Sequence, residues 1–206
     1  MEVGTADRHA MLKSALDLAA LRNFPRALAL LDKCAQQARK HNDWRCEGRA
    51  MRNIGAIYVE LGKYADALLF LEQGLHASRR QGHVYSEVKC LQSIGAAYEG
   101  QGLHERAVTY LEQALELSKQ ITGKDTEKLL MILKENLAVA KTSSGQYAEG
   151  MQLHKESYEL ARQHGDILAT DAAKCRGLET AAAAKAYRTA LKLLKPWHCT
   201  SEDKTH

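Results

Sequence analysis

Small and apolar residues recur along this chain with a period of about forty, and within each period their spacing is helical. Ile54-Gly55-Ala56-Ile57-Tyr58 matches Ile94-Gly95-Ala96-Ala97-Tyr98, and the match runs without gaps from Met51–Ala67 to Leu91–Ala107. Tyr58 and Tyr98 follow the glycines by three residues, which puts them on the same helix face. Gly62 and Gly102 follow seven residues later, where a glycine can end a helix with positive φ. Ala67 and Ala107, then Leu71 and Leu111 one turn on, give a small surface and a larger knob on a second helix. Two weaker copies flank this pair: Leu21-Arg22-Asn23-Phe24 upstream, and Asn136-Leu137-Ala138 with Gly145-Gln146-Tyr147 downstream. Each period therefore predicts an antiparallel helix pair that cannot bury its own apolar stripe, so neighbouring pairs must stack.

The units fall at about 8–43, 48–82, 88–119 and 128–163. Residues 167–195 leave the pattern. Ala172-Ala173, Ala181 to Ala184, Leu191, Leu193 and Leu194 predict one long helix that Pro196 stops, followed by a tail over 196–206. The expected fold is all-α, a right-handed solenoid of about four helix pairs with this last helix as its cap.

The paired glycines and the Gly-x-Tyr turns at Gly62-Lys63-Tyr64 and Gly145-Gln146-Tyr147 resemble the tetratricopeptide repeat, and HEAT or armadillo repeats lack them. The period exceeds the usual 34. Arg79–His83 and Gln120–Asp125 are thus expected to lengthen the second helix and the loop between units. Such long units resemble those of kinesin light chains, of the spindle-orientation adaptor that binds G-protein α subunits, and of rapsyn-like scaffolds. Gly123-Lys124-Asp125 followed by Asn136-Leu137-Ala138-Val139 is similar to a kinesin light chain repeat.

Composition narrows the classes. With 45% hydrophobic and 26% charged residues and only 2 prolines in 206, the chain can bury a helical core, and disorder or an all-β fold is excluded. Cys34, Cys46, Cys90, Cys175 and Cys199 are odd in number and lack a C-x-x-C pair, which points to a reducing compartment. The N-terminal residues look like neither a secretory signal nor a transit peptide, and no run approaches a membrane span, so a cytoplasmic location is expected.

Chemistry is sparse. There is no G-x-S-x-G elbow, no phosphate-loop or dinucleotide glycine pattern and no H-E-x-x-H, so no catalytic residue, cofactor or metal site is expected. His198-Cys199 beside Trp197 is read as part of a frayed tail, and Cys34 as a buried small residue of the first unit's second helix.

The resemblance implies that the first helix of each unit lines a concave groove. The groove positions are then Arg49, Arg52, Asn53, Ala56 and Val59; Lys89, Gln92, Ser93, Ala96 and Glu99; Ile132, Glu135, Asn136, Val139 and Thr142; and His9, Leu12 and Leu16 in the first unit. Chaperone co-factors of this family clamp a C-terminal carboxylate with paired Lys and Asn. The matching pairs here, Leu12/Leu16, Arg52/Ala56, Gln92/Ala96 and Glu135/Val139, do not form that clamp. Asn53 and Asn136 instead stand where the kinesin light chain and spindle-adaptor families place an Asn that bonds a bound peptide's backbone. An amide donates and accepts at once, and Arg49, Arg52 and Lys89 would favour acidic side chains.

The last helix carries Lys174, Arg176, Lys185, Arg188, Lys192 and Lys195 against Glu179. Of the net charge of +4, residues 171–206 hold +3, with 7 Lys/Arg against 4 Asp/Glu. Lys185, Arg188, Lys192 and Lys195 are candidates for docking an acidic partner, although aromatic interleaving for RNA is poor.

Two functions compete. In the first the chain is a non-catalytic adaptor holding a partner's peptide or helix in its groove. In the second it is a structural component of a microtubule- or axoneme-associated assembly that docks through convex and C-terminal surfaces. Self-association through the first unit, at His9, Leu12 and Leu16, is a further expectation.

Overall fold

Each predicted turn is set by one residue held at positive φ. Gly62, Gly102 and Gly145 have φ of 70°, 75° and 84°, and in the first unit Arg22 takes the same place at 56°. The computed structural model describes residues 3–123, 126–163 and 167–194. Among these it contains α1 (Val3–Ala20), α2 (Phe24–Lys40), α3 (Trp44–Glu60), α4 (Tyr64–Gln81), α5 (Val84–Gly100), α6 (His104–Ser118), α7 (Thr126–Ser143), α8 (Tyr147–Gln163) and α9 (Ile167–Leu194), and no strand. Each helix packs on the next, and the first helices of successive units, α3 with α5 and α5 with α7, also touch. The result is an α-solenoid.

Close approach within a pair rests on the helical glycines. A Cβ on Gly55 would lie 2.5 Å from Leu71 Cγ, and one on Gly95 would lie 2.6 Å from Leu111 Cγ. The leucine of the second helix thus seats directly on the backbone of the first. One turn away the aromatic pairs close the same seam: Tyr58 stacks on Phe70 at 5.4 Å and Tyr98 on Tyr110 at 5.3 Å. The core runs as two apolar clusters along the stack. One is centred on Leu12, Leu31 and Ile54 and the other on Leu71, Leu91, Ile94, Leu111 and Leu133, with Tyr58 packed against both. Full burial of each such leucine contributes about 1.5–3 kcal/mol.

Two expectations need correction. The extra residues Arg79–His83 extend α4 by a turn rather than lengthening the loop, because Gly82 stops the helix in the left-handed region (φ 66°) and His83 caps α5 at once. Leu12, expected on the open groove, is only 1% exposed. The reason is a stripe of Arg8, Leu12 and Ala15 at helical spacing, which turns this face of α1 onto α2 and α3. Leu16 is exposed.

The ninth helix takes the place of a fifth unit's first helix. It packs on α8 as α5 packs on α4 and α7 on α6. His154 and Ala161 of α8 and Ala173 and Thr180 of α9 are buried in this end of the stack. Pro196 and the tail lie outside the described residues, as does the Lys124-Asp125 part of the loop.

Candidate functional site

Matched devices one period apart fix α3 and α5 side by side. Asp43 Oδ1 accepts from the Cys46 N–H (3.1 Å) to cap α3, and His83 Nδ1 accepts from the Ser86 N–H (3.2 Å) to cap α5. In the first turn of each helix an acid is gripped by an arginine of the preceding helix. Arg39 Nε donates to Glu47 Oε1 and Arg79 Nε to Glu87 Oε1, both at 2.8 Å. Met51, Ile54 and Gly55 of α3 and Leu91, Ile94 and Gly95 of α5 are turned into the core, the two helices touch, and Arg52 of α3 comes within electrostatic reach of Lys89 of α5.

Asn53 is the least ordinary of the groove candidates. It is 9% exposed, its Oδ1 accepts from Arg52 Nη2 at 3.1 Å, and its Nδ2 is buried without a partner. A buried amide donor left open costs roughly 1–3 kcal/mol unless something fills it. The equivalent Ser93 is satisfied within its own helix by the Lys89 carbonyl (3.0 Å). Asn136, one unit further, is half-buried and makes no hydrogen bond among the described residues.

The cations around Asn53 crowd one another. Burial, partly offset by Cys90 and reinforced by Arg49, holds the Arg52 guanidinium below its ordinary value. Burial and then Arg52 lower Lys89, whose Nζ donates to Gln92 Oε1 at 2.9 Å. Among the described residues Arg49, Arg52 and Lys89 form no ion pair with a carboxylate. The acids assigned to the groove each have a partner. Glu99 Oε2 meets His104 Nδ1 at 2.9 Å, and Glu135 is claimed by the other end of the stack.

Glu135 Oε1 lies 3.1 Å from Nδ1 of buried His154 and also accepts from Arg176 Nε of α9. Burial raises the Glu135 carboxyl, but His154 and Arg176 outweigh it and hold it below the ordinary carboxylate value. Thr142 and Thr180 share a second hydrogen bond between α7 and α9, at 3.2 Å. Neither His154 nor Arg176 was expected as a partner of Glu135. A signal was present, however: counted from the turn residues Arg22, Gly62, Gly102 and Gly145, His154 stands where the other units bury Leu31, Leu71 and Leu111. Gly177 of α9 passes His154 at ordinary contact distance, a Cβ there lying 3.6 Å from His154 Cβ.

A cleft of about 560 Å³ between α6 and α8 is floored by Leu115, Leu137 and Leu153. Its acids are already paired: Lys141 takes Glu112 and Glu149, and Lys134 takes Glu156. Of the C-terminal docking candidates, Lys185 and Arg188 are exposed on α9, while Lys195 and the side chain of Lys192 lie outside the described residues. Cys34 and Cys46 are buried with their sulfurs 3.3 Å apart. Among the described residues no group of three or more His, Cys, Asp or Glu could hold a metal ion, and no helix is long and apolar enough to cross a membrane.

Comparison with known proteins follows the fold. Two family matches, both described as tetratricopeptide repeat, cover residues 7–80 and 88–126. No curated protein matches the sequence. Among solved structures, a Podosopora anserina protein of nearly identical TPR-like repeats, assigned to the kinesin light chains, superposes with a TM-score of 0.71 at 17% identity. It covers 95% of this chain and 94% of its own. A Rap protein complexed with competence and sporulation factor gives 0.67 at 16%, over 90% of this chain and 57% of that one. The apo quorum sensor NprR from B. thuringiensis gives 0.62 at 17%, over 98% and 62%.

Proposed function

The chain belongs to the tetratricopeptide-repeat family, and on that premise we propose that it is a non-catalytic protein-interaction scaffold whose concave face along α3, α5 and α7 holds an extended acidic segment of a partner protein. The observation that carries this reading is Asn53. Its open Nδ2 donor is buried beside cations that, among the described residues, pair with no acid. An extended chain supplies both missing groups, a backbone carbonyl for the amide and acidic side chains for the cations. Asn136 offers a second amide further along the same face. Two proteins of the same fold are named for ligands, one in complex with competence and sporulation factor and one a quorum sensor.

The test is an array of nonapeptides, degenerate except for a fixed central glutamate, probed with the full chain. The parent binds a subset of the array. Arg49→Glu with Arg52→Glu loses about 100-fold or more, because two attractive contacts become repulsive, and its melting curve is unchanged. Equal binding by parent and double variant would remove the groove from the account.

A second reading, docking onto an acidic filament such as a microtubule, rests on the exposed Lys174 and Arg188 of α9 and on the kinesin-light-chain-like neighbour. Lys174→Glu with Arg188→Glu should then abolish co-sedimentation with microtubules while leaving array binding intact.

A further inference from the structure

The cations of the concave face are oriented but not neutralised. Arg52 is held by the Asn53 amide oxygen at 3.1 Å and Lys89 by the Gln92 amide oxygen at 2.9 Å. Neutral acceptors fix the direction of a cationic head and leave its charge whole. Elsewhere this chain pairs its buried or half-buried cations with acids, as in Arg8 with Asp43 at 3.0 Å and Lys141 with Glu112 at 2.8 Å. The acids nearest in sequence, Glu47 and Glu87 at the starts of α3 and α5, are already taken by Arg39 and Arg79. Arg52 thus stands within electrostatic reach of Arg49 on its own helix and of Lys89 on α5, with the open N–H donor of Asn53 next to it in sequence.

Resting on the groove reading above, we propose that this point is a phosphoryl subsite: the segment held in the groove carries a phosphorylated serine or threonine whose phosphate sits among Arg49, Arg52 and Lys89. A carboxylate brings one negative charge and two oxygens, and it would leave the cluster strongly positive. A phosphate ester brings about −1.5 to −2 and three acceptor oxygens, which matches three cationic donors. Arginine adds a planar fork suited to two of those oxygens. Binding by the scaffold is then switched on by a kinase acting on the partner.

Three arrays of otherwise identical degenerate nonapeptides, with serine, glutamate or phosphoserine fixed at the centre, are probed with the full chain. The expected result is that phosphoserine binds at least about tenfold more tightly than glutamate, and serine least. Lys89→Gln reduces the phosphoserine-to-glutamate ratio to about threefold or less. Should that variant fail to fold, the half-buried Arg49→Gln is read in the same way. Equal binding of the glutamate and phosphoserine arrays would overturn the phosphoryl subsite and leave the groove standing. Failure of all three arrays would overturn both. Displacement of bound phosphopeptide by a stoichiometric ten-nucleotide RNA would assign the cations to nucleic acid and overturn the proposal.

Discussion

Two stretches of the face along α3, α5 and α7 handle charge in opposite ways, one open and one closed. Where α3 meets α5, Arg49, Arg52 and Lys89 have no acid partner among the described residues, and the Asn53 amide donor beside them is buried and open. Where α7 meets α8 and α9, one carboxylate, Glu135, is met by both a buried histidine and an arginine. The second arrangement is closed in charge, because α9 fills the place of a fifth unit's first helix and brings Arg176 with it, although Glu135 Oε2 and His154 Nδ1 stay buried without a hydrogen-bond partner. The first lies inside the stack, with helices packed on both sides of it, and among the described residues no acid pairs with its cations. The difference separates charge that serves the fold from charge that is left for something else.

Breaking the closed end should cost most. Glu135→Ala strips His154 and Arg176 of their acid. We expect a loss of about 2–3 kcal/mol, toward the lower end for such pairs because Arg176 is 40% exposed. Hydrogen exchange should show α8 and α9 losing protection before α3 to α5, whereas uniform loss would mean that the stack has no separate C-terminal unit.

Acid should have a smaller effect of the same kind. The Glu135 carboxyl is held below its ordinary value of 4.5 in the folded chain, so its contribution is present above that value and is lost as pH falls through the lower folded one. Glu156, lowered first by its bond from Lys134, adds in the same direction. The stability advantage of the parent over Glu135→Gln should therefore be constant from pH 8 to 6 and should shrink steadily below pH 4.5. An advantage that persists at pH 3 would mean that Glu135 contributes by packing rather than charge.

The open stretch should be nearly silent in stability. Arg52→Met removes a desolvated cation that repels Arg49 and Lys89, and thermal unfolding should place it within about 0.5 kcal/mol of the parent or above it, with binding to the glutamate array lost. A destabilisation comparable to that of Glu135→Ala would show that Arg52 serves the fold after all.

The architecture was legible because its requirements are local. Gly55 and Gly95 are dictated by leucines one helix away, and Gly62 and Gly102 by a turn whose φ disfavours any side chain. Such constraints repeat with every unit and so surface in a self-comparison. The candidate site was legible only in part. Its residues could be placed on one face by period, but the burial of Asn53 and its open amide depend on how Arg52 folds across Asn53 Oδ1, which no spacing encodes. Glu135 reads as a groove residue from its register alone, since its partners come from α8 and from a helix outside the repeat. Leu12 departs from the register of the inner units because Arg8, one turn before it on α1, is anchored to Asp43 of the next unit.

The most direct test of the central claim is the ¹⁵N–¹H spectrum of the full chain titrated with the strongest-binding peptide from the glutamate array. The account predicts that the Asn53 side-chain amide moves most, joined by backbone signals of Arg49, Arg52 and Lys89, while α8 and α9 stay in place. Shifts confined to α9 or to the cleft between α6 and α8, with the Asn53 amide unmoved, would contradict it.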